Sequence, residues 1–281
     1  MKKYNKIRQF FNFNLPQNKR QSTEESQRII IDDNAPFVIK ETYKTARTNI
    51  IFSVAGTVKS GCKTIAITSA NPGEGKTTTS LNLAITFAQT GARVLIVDCD
   101  LRKPRLHRYI GIKKNVGIST ILSGQVKIED VIYKNARPGL DVIASGEIPP
   151  NPAELLASEA MKALVDELAE RYDYIFFDTP PVTVVTDASA LSTLVDGIIV
   201  VVRQNYTDHE SLSMALNLLN IASAKVLGFF VNDVVTKRGG YHYSRYRYKY
   251  GYRYAYKYGY KYDYRYGDKV SSDSTAEKKK K

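Results

Sequence analysis

The sequence predicts an α/β fold, a mainly parallel sheet covered by helices on both faces. Short continuous apolar runs such as Val94–Asp98 and Gly197–Arg203 alternate with longer stretches of helical periodicity, the pattern of strands buried on both sides. A Gly-rich loop and several aspartates fall where those runs end, the carboxyl edge at which open α/β sheets bind ligands. The length of 281 residues suits one domain of about 200 residues with extensions.

Residues 1–35 mix basic, aromatic and amide side chains without sustained periodicity and are expected to form a flexible N-terminal arm, with Ile7 to Phe13 as a candidate surface-seeking segment. From Pro36 to about Ser53 the pattern turns helical. Proline stands at the start, where its missing N–H is not needed, and Phe37, Tyr43, Ala46, Ile50 and Ile51 are available to one face. Lys63–Ser69 reads as a strand, followed by the Gly-rich loop and a helix through about Gln89. Arg93–Asp98 is the next strand, entered after Gly91. Leu140–Ala144, Asp173–Asp178, Gly197–Arg203 and Val226–Val231 are further strands, separated by helical stretches near 153–170, 187–194 and 208–222. The packed domain is expected over 36–236, and 237–281 as a disordered tail.

Composition narrows the function. The net charge of +13 is concentrated in residues 1–28 and 237–281, leaving a near-neutral body. Two basic arms can meet something acidic without making the domain a nucleic-acid binder. Two cysteines, Cys62 and Cys99, give no disulfide framework, and three scattered histidines have no ligand spacing. The longest wholly apolar run, Ile198–Val202, is far short of the roughly 20 residues that span a bilayer, so the chain is expected to be soluble or peripherally attached.

Asn71-Pro-Gly-Glu-Gly-Lys-Thr77 matches the Walker A pattern of a P-loop ATPase sheet at a strand-to-helix junction, with Ala70 where the strict pattern has glycine. Gly73, Glu74, Gly75, Lys76, Thr77 and Thr78 are the expected contacts to ATP. Lys76 would neutralise β/γ-phosphate charge and Thr77 would offer its hydroxyl to Mg2+. Asp178 closes the apolar strand Tyr174-Ile-Phe-Phe177 and would hold Mg2+ through water. Asp98 and Asp100, two residues apart at another strand end, are the candidate proton acceptors; Asp98 is the first choice and Asp100 the second, with Asp100 also a metal candidate. Spacing alone does not divide these roles. Arg102, Lys103 and Arg105 are either phosphate or partner contacts or solvated loop cations, and Asn232 either reads the adenine edge or simply ends a strand.

Thirteen of the 26 residues from Tyr241 to Tyr266 are tyrosines: Tyr241, Tyr243, Tyr246, Tyr248, Tyr250, Tyr252, Tyr254, Tyr256, Tyr258, Tyr260, Tyr262, Tyr264 and Tyr266. Arg, Lys, Gly, Ala and Asp separate the later ones. A core-facing strand would alternate β-branched apolar residues and end after several positions. This run is better suited to being a substrate, and it shares a chain with a phosphate-binding loop.

These residues resemble the bacterial tyrosine kinases, a P-loop ATPase family related to the septum-positioning and partitioning ATPases. The resemblance covers roughly 36–266. It includes Pro72–Thr77 as Walker A, Ile96-Val-Asp98-Cys-Asp100-Leu-Arg102-Lys-Pro104 as the family's additional Walker A′, Ile175-Phe-Phe-Asp178-Thr-Pro-Pro181 as Walker B, and Pro149-Pro-Asn-Pro-Ala-Glu154-Leu-Leu as a further shared segment.

The resemblance implies ATP- and Mg2+-dependent autophosphorylation of the tail between neighbouring subunits of a homo-oligomeric ring, in control of capsule or exopolysaccharide synthesis. It also implies a separate transmembrane activator of the polysaccharide co-polymerase type, a cognate tyrosine phosphatase, and a cytoplasmic enzyme recruited to the inner face of the membrane. The family's ring-contact motif corresponds to Glu41, Lys44 and Arg47. Lysine replaces one arginine there and lacks its planar fork; the same spacing also suits an ordinary pair along one helix side. The rival readings are a positioning or partitioning ATPase with an anchoring tail, disfavoured because Ser69-Ala-Asn-Pro-Gly73 lacks an early lysine, and a tail that stacks on single-stranded nucleic acid. No specific nucleic acid is expected.

Overall fold

In a computed structural model the described residues are 30–55, 61–113 and 115–235. Helix α1 (Phe37–Val54) precedes strand β1 (Lys63–Ser69), helix α2 (Lys76–Ala88) and strand β2 (Val94–Asp98). Two single-turn helices, α3 (Leu106–Ile110) and α4 (Ile118–Leu122), and a 3-10 turn (Ile128–Asp130) lead to β3 (Ile132–Arg137) and β4 (Leu140–Ile143). Then come α5 (Pro152–Leu156), α6 (Glu159–Arg171), β5 (Tyr174–Asp178), α7 (Asp187–Ala190), a 3-10 turn (Leu191–Thr193), β6 (Gly197–Arg203), α8 (His209–Ile221) and β7 (Val226–Asn232).

The seven strands form one sheet in the order β3-β4-β2-β5-β1-β6-β7. All neighbours are parallel except β3 and β4. Successive side chains of a strand point to opposite faces, and β1 shows it directly. Ile65 and Ile67 enter a core with Leu83 and Phe87 of α2 and Tyr43 of α1, whereas Ala66 enters the opposite core with Met161 and Leu168 of α6 and Leu212 of α8. Both faces are covered, so the strands read as continuous apolar runs in the sequence.

The fold class and the six expected parallel strands agree with the structure. The antiparallel edge strand β3 is an addition: its residues, Ile-Tyr-Lys-Asn-Ala-Arg, are half exposed and lack an apolar run. The expected helix over 187–194 is a single α turn followed by a 3-10 turn. Packing starts before residue 36. Ile31 is buried, and its N–H donates to Asn82 Oδ1 of α2 at 2.8 Å. The rest of the N-terminal arm and the tyrosine tail lie outside the described residues.

Candidate active site

The loop between β1 and α2 turns on two glycines in the left-handed region, Gly73 at φ 82° and Gly75 at φ 93°. A Cβ at Gly75 would lie 2.1 Å from the side-chain Nδ2 of Asn232, which would have to shift to admit it, and the left-handed φ itself disfavours any side chain there. Lys76 and Thr77 open helix α2, whose first N–H groups are free of intrahelical partners and carry its positive dipole end. Among the described residues, the N–H groups of Gly73, Glu74, Gly75, Lys76 and Thr77 donate to no protein acceptor. Lys76 is itself almost fully buried. A row of unpartnered donors around a buried ammonium is a cradle for a polyphosphate.

Strand order brings the acids to this cradle. Strand β5 lies between β1 and β2, and its last residue, Asp178, is in register with Ile67 on one side and Asp98 on the other. Asp178 is fully buried; its Oδ1 accepts from Ser80 Oγ at 3.0 Å, while Oδ2 has no hydrogen-bond partner. Burial pushes this carboxyl up to about 6, opposed by the Lys76 ammonium and the nearby Thr77 and Ser80 hydroxyls. An orphaned carboxylate oxygen beside a helix-start threonine fits a cation site. Among the described residues no His, Cys, Asp and Glu side chains cluster closely enough to hold a metal by themselves. Magnesium characteristically keeps waters and phosphate oxygens in its shell, so Thr77 and Asp178 would suffice as the protein's contribution to such a site.

Asp98 is also fully buried. Its Oδ1 accepts from the Asp100 N–H and its Oδ2 from the Leu106 N–H, both at 3.2 Å, so the carboxylate shapes the whole loop from β2 to α3. Burial and the nearby Asp178 and Asp100 raise its proton affinity well above the usual carboxylate range, against the pull of the two N–H bonds. Asp100 is only partly buried and accepts from the Lys103 N–H at 3.0 Å. The acceptor candidates thus divide by environment: Asp98 has the proton affinity and Asp100 the access.

Other expected site residues are engaged within the fold. The Glu74 carboxylate is buried and braces the loop, accepting from the Asn71 N–H at 3.1 Å and Thr207 Oγ1 at 2.5 Å. Asn232 donates to the Glu74 carbonyl at 3.0 Å. Arg102 grips the buried Asp187 with two bonds of 3.1 and 3.2 Å and is not a free cation. Thr78 is half buried on the first turn of α2. Glu41 and Lys44 pair with each other at 2.8 Å on the outer side of α1, and Arg47 turns inward to the Thr86 carbonyl at 2.6 Å.

Sequence reasoning missed Arg203, Tyr206 and Thr207, which reach the phosphate loop from the end of β6 and the connection after it, and Asp187, the partner of Arg102. None carries a motif; only the order of strands brings β6 beside β1.

Residues 62–227 match the family described as AAA domain. The chain is similar to Tyrosine-protein kinase YwqD of Bacillus subtilis (strain 168), 42% identical over 204 residues, covering 72% of this chain and 85% of the relative. It is 37% identical to Tyrosine-protein kinase ptk of Acinetobacter johnsonii over 76% of this chain, but spans only 29% of that protein's length. The kinase domain of Escherichia coli tyrosine kinase ETK superposes with a TM-score of 0.67 at 28% identity, covering 77% of this chain and 87% of that one. A Cyanothece McdA–ATP complex shares the fold more distantly, with a TM-score of 0.52 at 26% identity over 61% of this chain and 70% of that one. The phosphate cradle, the strand-end Asp98 and Asp178 and these similarities together place the chain in the family of bacterial tyrosine-protein kinases.

Proposed function

We propose that the protein transfers the γ-phosphoryl group of ATP to tyrosines of its own C-terminal tail, Tyr241 to Tyr266, in a neighbouring copy. The observation that supports this best is the pairing, in one chain, of a cradle built on buried Lys76 and Asp178 with thirteen closely spaced phenols. Bound Mg2+–ATP supplies the phosphoryl group and neutralises part of its charge.

The residues of the chain do the positioning. The N–H groups of Gly73 to Thr77 and the Lys76 ammonium hold the phosphates, and Thr77 and Asp178 hold the cation, with Asp100 as a further candidate. In the transfer a bond forms between the phenol oxygen and phosphorus, the bridging bond to ADP breaks, and the phenol proton passes to an aspartate. Tyrosine's pKa near 10 makes that acceptor necessary at neutral pH. Asp98 has the raised proton affinity such an acceptor needs, and Asp100 is the more accessible carboxylate beside it.

An extended 26-residue segment reaches at most about 90 Å, enough to enter a neighbour's site. Each phosphate adds roughly −1.5 to −2 charge, so about six would cancel the positive charge of the tail and more would invert it. A basic tail docks on acidic surfaces of a neighbouring subunit, and a phosphorylated one is repelled. Ring assembly through Glu41, Lys44 and Arg47, a transmembrane activator of the polysaccharide co-polymerase type, a cognate phosphatase, and action at the cytoplasmic side of the membrane in capsule or exopolysaccharide synthesis complete the reading. Among the described residues no helix is long and apolar enough to cross a membrane.

The test is phosphotyrosine mapping by mass spectrometry after incubation with Mg-ATP. The wild type should gain phosphate in Tyr241 to Tyr266 and Lys76→Met should gain none. Oligomer mass should fall as phosphorylation proceeds; an unchanged mass at high phosphotyrosine content would reject the charge switch.

A further inference from the structure

Four side chains from outside the nucleotide motifs hold the phosphate loop from its outer side. Tyr206 Oη donates to the Pro72 carbonyl at 2.9 Å, Arg203 Nη1 to the Gly73 carbonyl at 3.4 Å, and Asn232 Nδ2 to the Glu74 carbonyl at 3.0 Å. Thr207 Oγ1 donates to the Glu74 carboxylate at 2.5 Å. Three consecutive loop carbonyls are thus tied to the end of β6, the connection after it and the end of β7. The clasp is itself braced: Arg203 Nε donates to Asp233 Oδ2 at 3.0 Å, and its guanidinium lies 5.3 Å from the centre of the Tyr206 ring.

In a planar trans peptide the carbonyl of one residue and the N–H of the next point in opposite directions. Fixing the carbonyls of Pro72, Gly73 and Glu74 outward therefore aims the N–H groups of Gly73, Glu74 and Gly75 to the other side. Those are the donors that have no protein acceptor. The contact to Pro72 is the outermost of the set, since Tyr206 is 51% exposed whereas Thr207 is buried. A half-exposed ring on the surface contributes little to core packing, yet its hydroxyl meets the loop at the residue that begins the turn.

We infer that Tyr206 is a positioning residue of the nucleotide site, whose hydroxyl holds the Pro72 peptide so that the loop's N–H groups are pre-aimed at phosphate. The inference rests on the nucleotide reading given above and deepens it. Preorganised donors lower the cost of ordering the loop on binding, so the effect of losing one tether falls on nucleotide affinity.

The experiment uses the full-length chain and three proteins: wild type, Tyr206→Phe and Lys76→Met. Calorimetry gives the Kd for Mg-ADP, and steady-state phosphorylation gives KM for ATP and kcat. Tyr206→Phe retains the ring over Arg203 and removes only the hydroxyl. It should raise Kd and KM together by roughly three- to tenfold, the size of one hydrogen bond, with kcat within about twofold of wild type and an unchanged Tm. A purely structural tyrosine would instead lower Tm and leave Kd in place. Wild-type Kd and KM in Tyr206→Phe, with binding lost in Lys76→Met, would overturn this inference alone. Failure of the wild type to bind Mg-ADP would overturn the nucleotide reading and this inference with it.

Discussion

Asp98 and Asp178 face each other in register at the ends of the adjacent parallel strands β2 and β5, and both are completely buried. Two carboxylates withdrawn from water so near one another cannot both ionise without cost, and burial with mutual repulsion raises the proton affinity of Asp98 while burial raises that of Asp178. The Lys76 ammonium offsets part of this for Asp178. The nucleotide-free site is thus a destabilising arrangement that a bound cation would relieve.

That arrangement has a definite pH signature. The Asp178 carboxyl is raised from 3.8 to about 6, so the folded state binds its proton more tightly than the unfolded state does. No penalty exists below pH 3.8, where both states are protonated; it grows as pH rises toward 6 and is complete above it. The difference corresponds to about 3 kcal/mol as an upper figure. Asp178→Asn should therefore raise the urea stability of nucleotide-free protein at pH 8 by about 1 to 3 kcal/mol, with little gain at pH 4, and should abolish phosphorylation.

Gly75→Ala tests the close approach of β7 to the loop. The added methyl meets Asn232 Nδ2 at 2.1 Å and the backbone stays at φ 93°. The conformational strain alone should cost about 1 to 3 kcal/mol, and Mg-ADP affinity should fall by at least about tenfold. Adding Asn232→Ala removes the clash but not the unfavourable φ, so thermal melts and calorimetry should show partial recovery of stability and little recovery of binding.

The ion pair between Arg102 and Asp187 should be structural. Arg102→Ala leaves the fully buried Asp187 side chain without its guanidinium. The expected loss is about 1 to 3 kcal/mol in urea unfolding, less than for a wholly buried pair because Arg102 is 42% exposed. Arg102→Ala with Asp187→Asn should regain most of it, since no buried charge is then stranded.

The sheet was legible because its central strands β2, β5 and β6 are apolar runs, and Asp98 and Asp178 each close one. Asp178 follows Tyr-Ile-Phe-Phe, and Asp98 follows Val-Leu-Ile-Val. Strand β3 was illegible because an edge strand needs only one covered face and this one carries Lys134, Asn135 and Arg137. The clasp on the phosphate loop was illegible for a different reason. Tyr206 contacts Pro72 across 134 positions of sequence, through the pairing of β6 with β1, which neither periodicity nor motif spacing specifies. The side chain of Glu74 shows the same limit: its place in the motif points to the nucleotide, and only packing turns it to Thr207.

Transfer between chains is the central step. Wild-type protein lacking residues 237–281 is mixed with Mg-ATP and full-length Lys76→Met, together with a membrane activator where one is required for ATP turnover, and phosphotyrosine is mapped. Phosphate is expected on tyrosines between Tyr241 and Tyr266 of the Lys76→Met chain, which cannot phosphorylate itself. ATP consumption with every one of those tyrosines unmodified would contradict it.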